Sequence, residues 1–137
     1  QEPLKLKPVL SWRTRVAQIK SVPAGSYVGY GCTYRTTRRS QLAVIPVGYY
    51  DGYDRSLSNT AYVLIKGHRA QLRGRVCMNF IMADVSDISG VELEDRVTLL
   101  GSDGQEKITA EQLAGLAGTI SYEIITRINQ LIPRVIV

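Results

Sequence analysis

From Trp12 to Ile108 the chain never sustains an apolar period of helical length; short apolar, β-branched and aromatic runs are cut repeatedly by glycine, proline and Asp/Asn. That pattern demands strands joined by turns. "SWRTRVAQIKSV" reads as one long strand closed by the turn signal "PAG". "YVGYGCTYR" continues it, although Gly29 and Gly31 leave Tyr30 without packing on either side. "QLAVIPVGYY" is apolar but holds Pro46, which cannot donate to a ladder, so it reads as an edge strand or a bulged one. "DGYDRSLSN" is a polar loop in which Asp51 and Asp54 suit turn capping. "AYVLIKGHRAQL" predicts a hairpin turning at Lys66–His68, with His68 at its exposed tip. "GRVCMNFIMADVSD" predicts a further strand pair, and "DRVTLLGSDG" a strand closed by an Asp-Gly turn.

Helical signals arrive late. Thr109 and Gln112 form a capping box ahead of "AEQLAGLA", and Gly118 suits its C-terminal end. A second helix is predicted over "SYEIITRINQL", with Ser121 as N-cap, Glu123 in the first turn and Pro133 as the stop; "RVIV" then returns to strand. The expected fold is mainly β: a small β-barrel or Greek-key-like domain with two short helices near the C-terminus.

At 137 residues, 45% hydrophobic and 21% charged, the chain has the size and composition of one globular domain. No apolar run approaches the roughly 20 residues of a membrane span, so no membrane is expected from this segment. Residues 1–20, broken by prolines and cations, do not read as a signal peptide. The first residue is Gln1, as in a fragment or processed product. Two cysteines, Cys32 and Cys77, and one histidine leave no zinc-ligand spacing and no expected metal; both cysteines read as reduced packing residues of a cytoplasmic protein.

Charge and tyrosine are both uneven. Residues 1–75 carry 13 Lys/Arg and 3 acids, whereas residues 76–137 carry 4 and 9. Seven of the eight tyrosines fall between Tyr27 and Tyr62. A basic, tyrosine-rich half admits a nucleic-acid platform, in which Tyr34–Arg35 and Tyr53–Arg55 would stack bases. No RNA-binding signature accompanies it, and strand tyrosines are usually half-buried strand residues, so the expectation is no nucleic acid.

Five segments in order, "RTRVAQIKSVPAGSYVGYGCTY", "IPVGYYDGYDR", "GRVCMNFIMADVSD", "VTLLG" and "ISYEIITRINQLIPRV", resemble the C-terminal domain of bacterial alanine racemases across nearly the whole chain. The resemblance implies that residues 1–137 are that β domain, without the family's N-terminal TIM-type barrel. It implies pyridoxal 5′-phosphate held covalently by a lysine of that missing domain, interconversion of L- and D-alanine for peptidoglycan, and a homodimer whose active site is shared between subunits.

The resemblance also distributes roles. Tyr30 matches a catalytic tyrosine base that serves the partner subunit's site, opposite the barrel lysine. Tyr49 and Met78 match substrate-binding positions, the latter through its backbone N–H. Arg55, Arg75 and Ile120 match residues lining the substrate entrance. Tyr122 matches the tyrosine that contacts the cofactor phosphate. Asn79 departs from the aspartate many members carry there. A serine or broad-specificity racemase would carry the same domain. The isolated fragment is expected to be inactive, and Gly29 and Gly31 are expected to give Tyr30 clearance to enter the neighbouring site.

Overall fold

A computed structural model describes residues 3–137. The long N-terminal run does not form one strand. It breaks at Val16–Ala17 into β1 (Trp12–Arg15) and β2 (Gln18–Val22), and the two pieces pair in different sheets. The remaining elements are β3 (Tyr27–Val28), β4 (Tyr34–Arg35), β5 (Ser40–Ile45), β6 (Tyr62–Ile65), β7 (His68–Gln71), β8 (Ile81–Asp84), β9 (Arg96–Asp103), β10 (Glu106–Ile108), α1 (Ala110–Ala117) and α2 (Ser121–Arg127).

The larger sheet runs β1-β9-β6-β7 with β10 folded back on β9; the second runs β2-β5-β8; β3 and β4 form a small pair of their own. All pairings are antiparallel. The two sheets meet where Leu72 bridges to Ala83, at the β7/β8 edge. The expected barrel is therefore corrected: the structure is mainly β with two helices, but its ladders stay in separate sheets and do not close into one ring. Only a single bridge joins β7 to β8, and the chain passes from one sheet to the other through the Val16–Ala17 bend.

Between the sheets lies one core that includes Val16, Ala43, Ile45, Val63, Ile65, Ile81, Ala83, Val97 and Leu99. Val63, Leu64 and Ile65 are buried in succession, so both faces of β6 are covered. Leu113 and Ala114 of α1 and Ile124 of α2 join the same core.

Local signals held where they were local. The β6/β7 hairpin turns at Lys66 (φ 50°) and Gly67 (φ 75°), the two left-handed residues of a type I′ turn. The Thr109/Gln112 box and the left-handed Gly118 bound α1 as expected. For α2 the cap is Ile120, one residue earlier than expected, and no side chain caps it.

Three expectations failed for non-local reasons. The strand with Pro46 is not at an edge: β5 sits between β2 and β8, and it ends at Ile45, just before the proline. "GRVCMNFIMADVSD" yields only β8, because residues 74–80 leave the sheet to meet the loop at 48–50. "RVIV" pairs with no strand among the described residues, and Val135, Ile136 and Val137 lie exposed.

The charge split of the chain becomes internal pairing. Arg38–Asp87, Lys66–Asp95, Arg69–Glu106 and Arg73–Asp84 each join the basic first half to the acidic second half. These pairs are wholly or partly exposed, so solvent screens them and each contributes little to stability.

Candidate functional site

Tyr30 is not a strand residue. β3 and β4 are only two residues each, and between them the chain makes a 3₁₀ turn, Tyr30–Cys32. Gly29 (φ 74°, ψ 170°) and Gly31 (φ 75°, ψ −1°) both take positive-φ backbone, which costs a residue with a Cβ on the order of 1–3 kcal/mol. The turn thus explains both glycines. They also admit Arg75: a Cβ on Gly31 would lie 3.2 Å from its Nε, and one on Gly29 would lie 3.3 Å from its backbone N. Within this domain the two glycines leave room for Arg75, in addition to the backbone requirement.

That approach continues on the other side. A Cβ on Gly74 would sit 2.6 Å from the Val28 carbonyl oxygen, so the 28–29 and 74–75 backbones touch without side chains between them. Arg75 comes to lie 5.6 Å from the centre of the Tyr30 ring, and Arg55 5.8 Å from it. Arg55 Nε donates a 3.0 Å hydrogen bond to the Tyr30 phenol oxygen. Two guanidinium groups therefore fix one phenol that is still 49% exposed. Cation–π contacts at such exposed sites contribute about 0.5–1 kcal/mol each, enough to orient the ring.

Arg55 opens another 3₁₀ turn, Arg55–Leu57, whose N-cap is Asp54. Its carboxylate accepts from Ser56 N–H at 2.8 Å and from the Ser56 hydroxyl at 2.6 Å, and also pairs with Arg127 of α2. Burial pushes the Asp54 carboxyl up, but the Ser56 hydrogen bonds and the Arg127 charge outweigh it and hold it below the usual carboxylate value. Arg127 also reaches Glu123 at 3.1 Å. So Asp54 ties the Arg55 turn to the helix that carries Tyr122.

The same loop meets Met78 at its other end. Tyr49 N–H donates to the Cys77 carbonyl and Tyr50 N–H to the Met78 carbonyl, each at 3.0 Å. A Cβ on Gly48 would lie 2.2 Å from the Cys77 oxygen, so only glycine lets these backbones approach. Asp51 accepts from Gly48 N–H at 2.9 Å, and its carbonyl accepts from Asn129 N–H at 2.9 Å. Among the described residues, Met78 N–H donates to nothing. Side chains of Tyr49, Met78 and Ile120 are exposed, as is Tyr122 at 76%. The Tyr122 phenol makes no hydrogen bond among the described residues.

Residues 48–57 thus bring Tyr30, Arg55 and Arg75 into contact at one end and set Tyr49 against Met78 at the other, with α2 docked on both. Ile120 and Tyr122 are placed by that docking and touch none of the other candidates through a hydrogen bond. The residues that do the tying, Asn59, Arg127 and Asn129, escaped sequence reasoning, since their partners lie 15 or more positions away. The capping roles of Asp51 and Asp54 were legible.

Other tyrosine pairs expected for base stacking are differently arranged. Tyr53 is buried with its ring edge-on to Trp12, and burial pushes its hydroxyl up. Arg35 lies over Tyr27 and Arg73 over Tyr34, so Tyr34 and Arg35 do not stack on each other. Cys77 is buried as a packing residue, whereas Cys32 is exposed in the Tyr30 turn. No helix among the described residues is long and apolar enough to cross a membrane.

The chain is 52% identical over 132 residues to an alanine racemase of Symbiobacterium thermophilum, covering 96% of the chain and 35% of that protein. It is 47% identical over 133 residues to one of Leptospira interrogans, covering 97% of the chain and 34% of that protein. The chain spans about a third of the length of the curated relatives it matches. The crystal structure of alanine racemase from Bacillus anthracis with bound L-Ala-P superposes with a TM-score of 0.87 at 42% identity, covering 93% of this chain and 32% of that one. An alanine racemase of Clostridium difficile in complex with cycloserine gives 0.85 at 35% identity, covering 93% and 33%. The family described as the alanine racemase C-terminal domain matches residues 9–136. The family match over most of the chain and the likeness in fold agree, and the chain belongs to the alanine racemase C-terminal domain family.

Proposed function

We propose that this chain is the tyrosine-bearing part of a cytoplasmic enzyme that interconverts L- and D-alanine for cell-wall synthesis, with Tyr30 as one of two proton carriers. The observation that carries the reading is the half-exposed Tyr30 phenol, held at the tip of a two-glycine turn by Arg55 and Arg75. A β domain spanning a third of its relatives supplies such a group to a site completed elsewhere, by an N-terminal barrel domain in a homodimer.

The residues present fit pyridoxal 5′-phosphate in the one contact this domain would offer: the exposed, unpartnered Tyr122 phenol is a neutral donor suited to a phosphate. When bound, that cofactor supplies the electron sink that makes a substrate Cα–H removable. This chain would contribute one of the two proton carriers and part of the substrate's surroundings. The Tyr30 phenol oxygen takes a proton from, or returns it to, one face of Cα, as a positioned general acid or base. Arg55 Nε donates to that oxygen at 3.0 Å and so fixes where it points. The free Met78 N–H would meet the substrate carboxylate as a fixed donor. Tyr49, Arg55, Arg75 and Ile120 would line the entrance, where the arginines attract a carboxylate.

The test is racemisation by the full-length protein with added cofactor, followed by chiral chromatography from both L- and D-alanine, with serine as competing substrate. Tyr30→Phe should cost about 10²–10⁴-fold in kcat, the usual worth of a positioned acid or base. Wild-type rates in both directions would remove Tyr30 from the chemistry; faster turnover of serine would change the substrate. The 137-residue chain alone should be inactive.

A further inference from the structure

The Tyr30 turn and the Arg75 segment touch backbone to backbone, yet they lie more than 40 positions apart in sequence and belong to no common sheet ladder. Something must set their spacing. Asn59 lies between them. Its side-chain Nδ2 donates to Thr33 Oγ1 at 3.1 Å, at the end of the Tyr30 turn. Its Oδ1 accepts from Gly74 N–H at 2.6 Å, one residue before Arg75. Its own carbonyl accepts from Gln71 Nε2 at 3.2 Å. One amide therefore spans both segments, and a third bond anchors it to β7.

Its backbone is left-handed (φ 60°), a conformation asparagine tolerates better than most residues with a side chain. Ser58 reinforces the same junction: its hydroxyl donates to the Arg55 carbonyl at 2.5 Å and accepts from Val76 N–H at 2.8 Å. The loop bearing Arg55 is thereby fastened to the segment bearing Arg75.

We propose that Asn59 is a positioning residue, which sets the Tyr30 ring against Arg75 by bridging Thr33 and Gly74. It acts on the phenol through the two segments it joins, not by touching substrate. The functional part of this inference rests on the racemase reading; the structural part does not.

Asn59→Gly is the informative variant, because glycine accepts the left-handed backbone without strain and both side-chain bonds vanish. Asn59→Asp is the rescue: it keeps an acceptor for Gly74 N–H, and the Thr33 hydroxyl can donate to its second oxygen. Full-length protein carrying 3-fluorotyrosine at position 30 is followed by fluorine NMR and, with cofactor, by steady-state kinetics. Asn59→Gly should split or broaden the position-30 resonance and lower kcat about tenfold to a hundredfold, as a small misplacement does, with KM little changed. Asn59→Asp should restore a single sharp resonance and most of kcat. A sharp, unshifted resonance in Asn59→Gly would overturn the proposal. If the wild-type full-length protein fails to racemise alanine, the functional reading falls, while the fluorine resonance still decides the role of Asn59.

Discussion

Arg55 donates from Nε to the phenol oxygen of Tyr30 at 3.0 Å while its guanidinium group lies 5.8 Å from the ring centre. One arginine therefore fixes both where the phenol oxygen points and what charge it faces. Removing it should hurt turnover more than stability, because the pair is exposed and exposed pairs contribute little to folding. In the full-length protein, Arg55→Met should lower kcat about tenfold or more, since hydrogen bonds to charged groups are worth about 1.5–3 kcal/mol. Arg55→Lys should recover only part, because an ammonium lacks the planar fork. Initial rates from both alanine enantiomers, set beside thermal melts, give the comparison.

The glycines of the loop make graded demands. Gly31→Ala should cost about 1–2 kcal/mol from its left-handed backbone alone, and it also presses on the flexible end of Arg75. Gly48→Ala should be far worse, because its Cβ would strike the Cys77 and Met78 backbones at 2.2–2.5 Å, where nothing flexible can yield. Urea unfolding of the two variants should rank them in that order. Equal losses would show that the 48–50 and 77–78 segments separate easily.

Asp54 predicts an acid-side effect. Its folded carboxyl is held below the ordinary value of 3.8, against the push of burial, by Ser56 and Arg127. A depressed folded value means that this stabilisation is present above the unfolded value and is lost as pH falls below about 4 through the folded value. Asp54→Asn should lower the melting temperature at pH 6 and flatten its fall between pH 4 and more acid conditions. Parallel curves for wild type and variant would dismiss the linkage.

Cysteine reactivity should follow burial. Cys32 is exposed in the Tyr30 turn; Cys77 is buried, and that burial pushes its thiol up. Iodoacetamide under native conditions should label Cys32 first in the 137-residue chain, with Cys77 reacting only after urea is added. Peptide mass spectrometry reads the order directly, and early labelling of Cys77 would mean the 74–80 segment opens readily.

What could be read without the fold was what is decided within a few residues. The capping box at Thr109, the left-handed stops at Gly67 and Gly118, and the caps at Asp51 and Asp54 each depend on a neighbour two to four positions away. Short-range chemistry of this kind is written in residue order. The family resemblance added the identity of the candidate residues, but no geometry.

Tertiary structure decided the rest. Whether "SWRTRVAQIKSV" stays one strand depends on which partners its two ends find, and β9 and β5 lie in different sheets. Pro46 permits a central strand because that strand ends one residue earlier. Tyr30 changed from a strand tyrosine to the tip of a turn because Arg55 and Arg75, 25 and 45 positions away, fold back on it across backbones that only glycine lets approach. Such contacts are closed by the whole core rather than by local propensity. Sequence alone therefore determined the caps of α1 and of the 48–57 loop, the hairpin turn and the β-rich class, and packing at a distance determined which tyrosine meets two arginines.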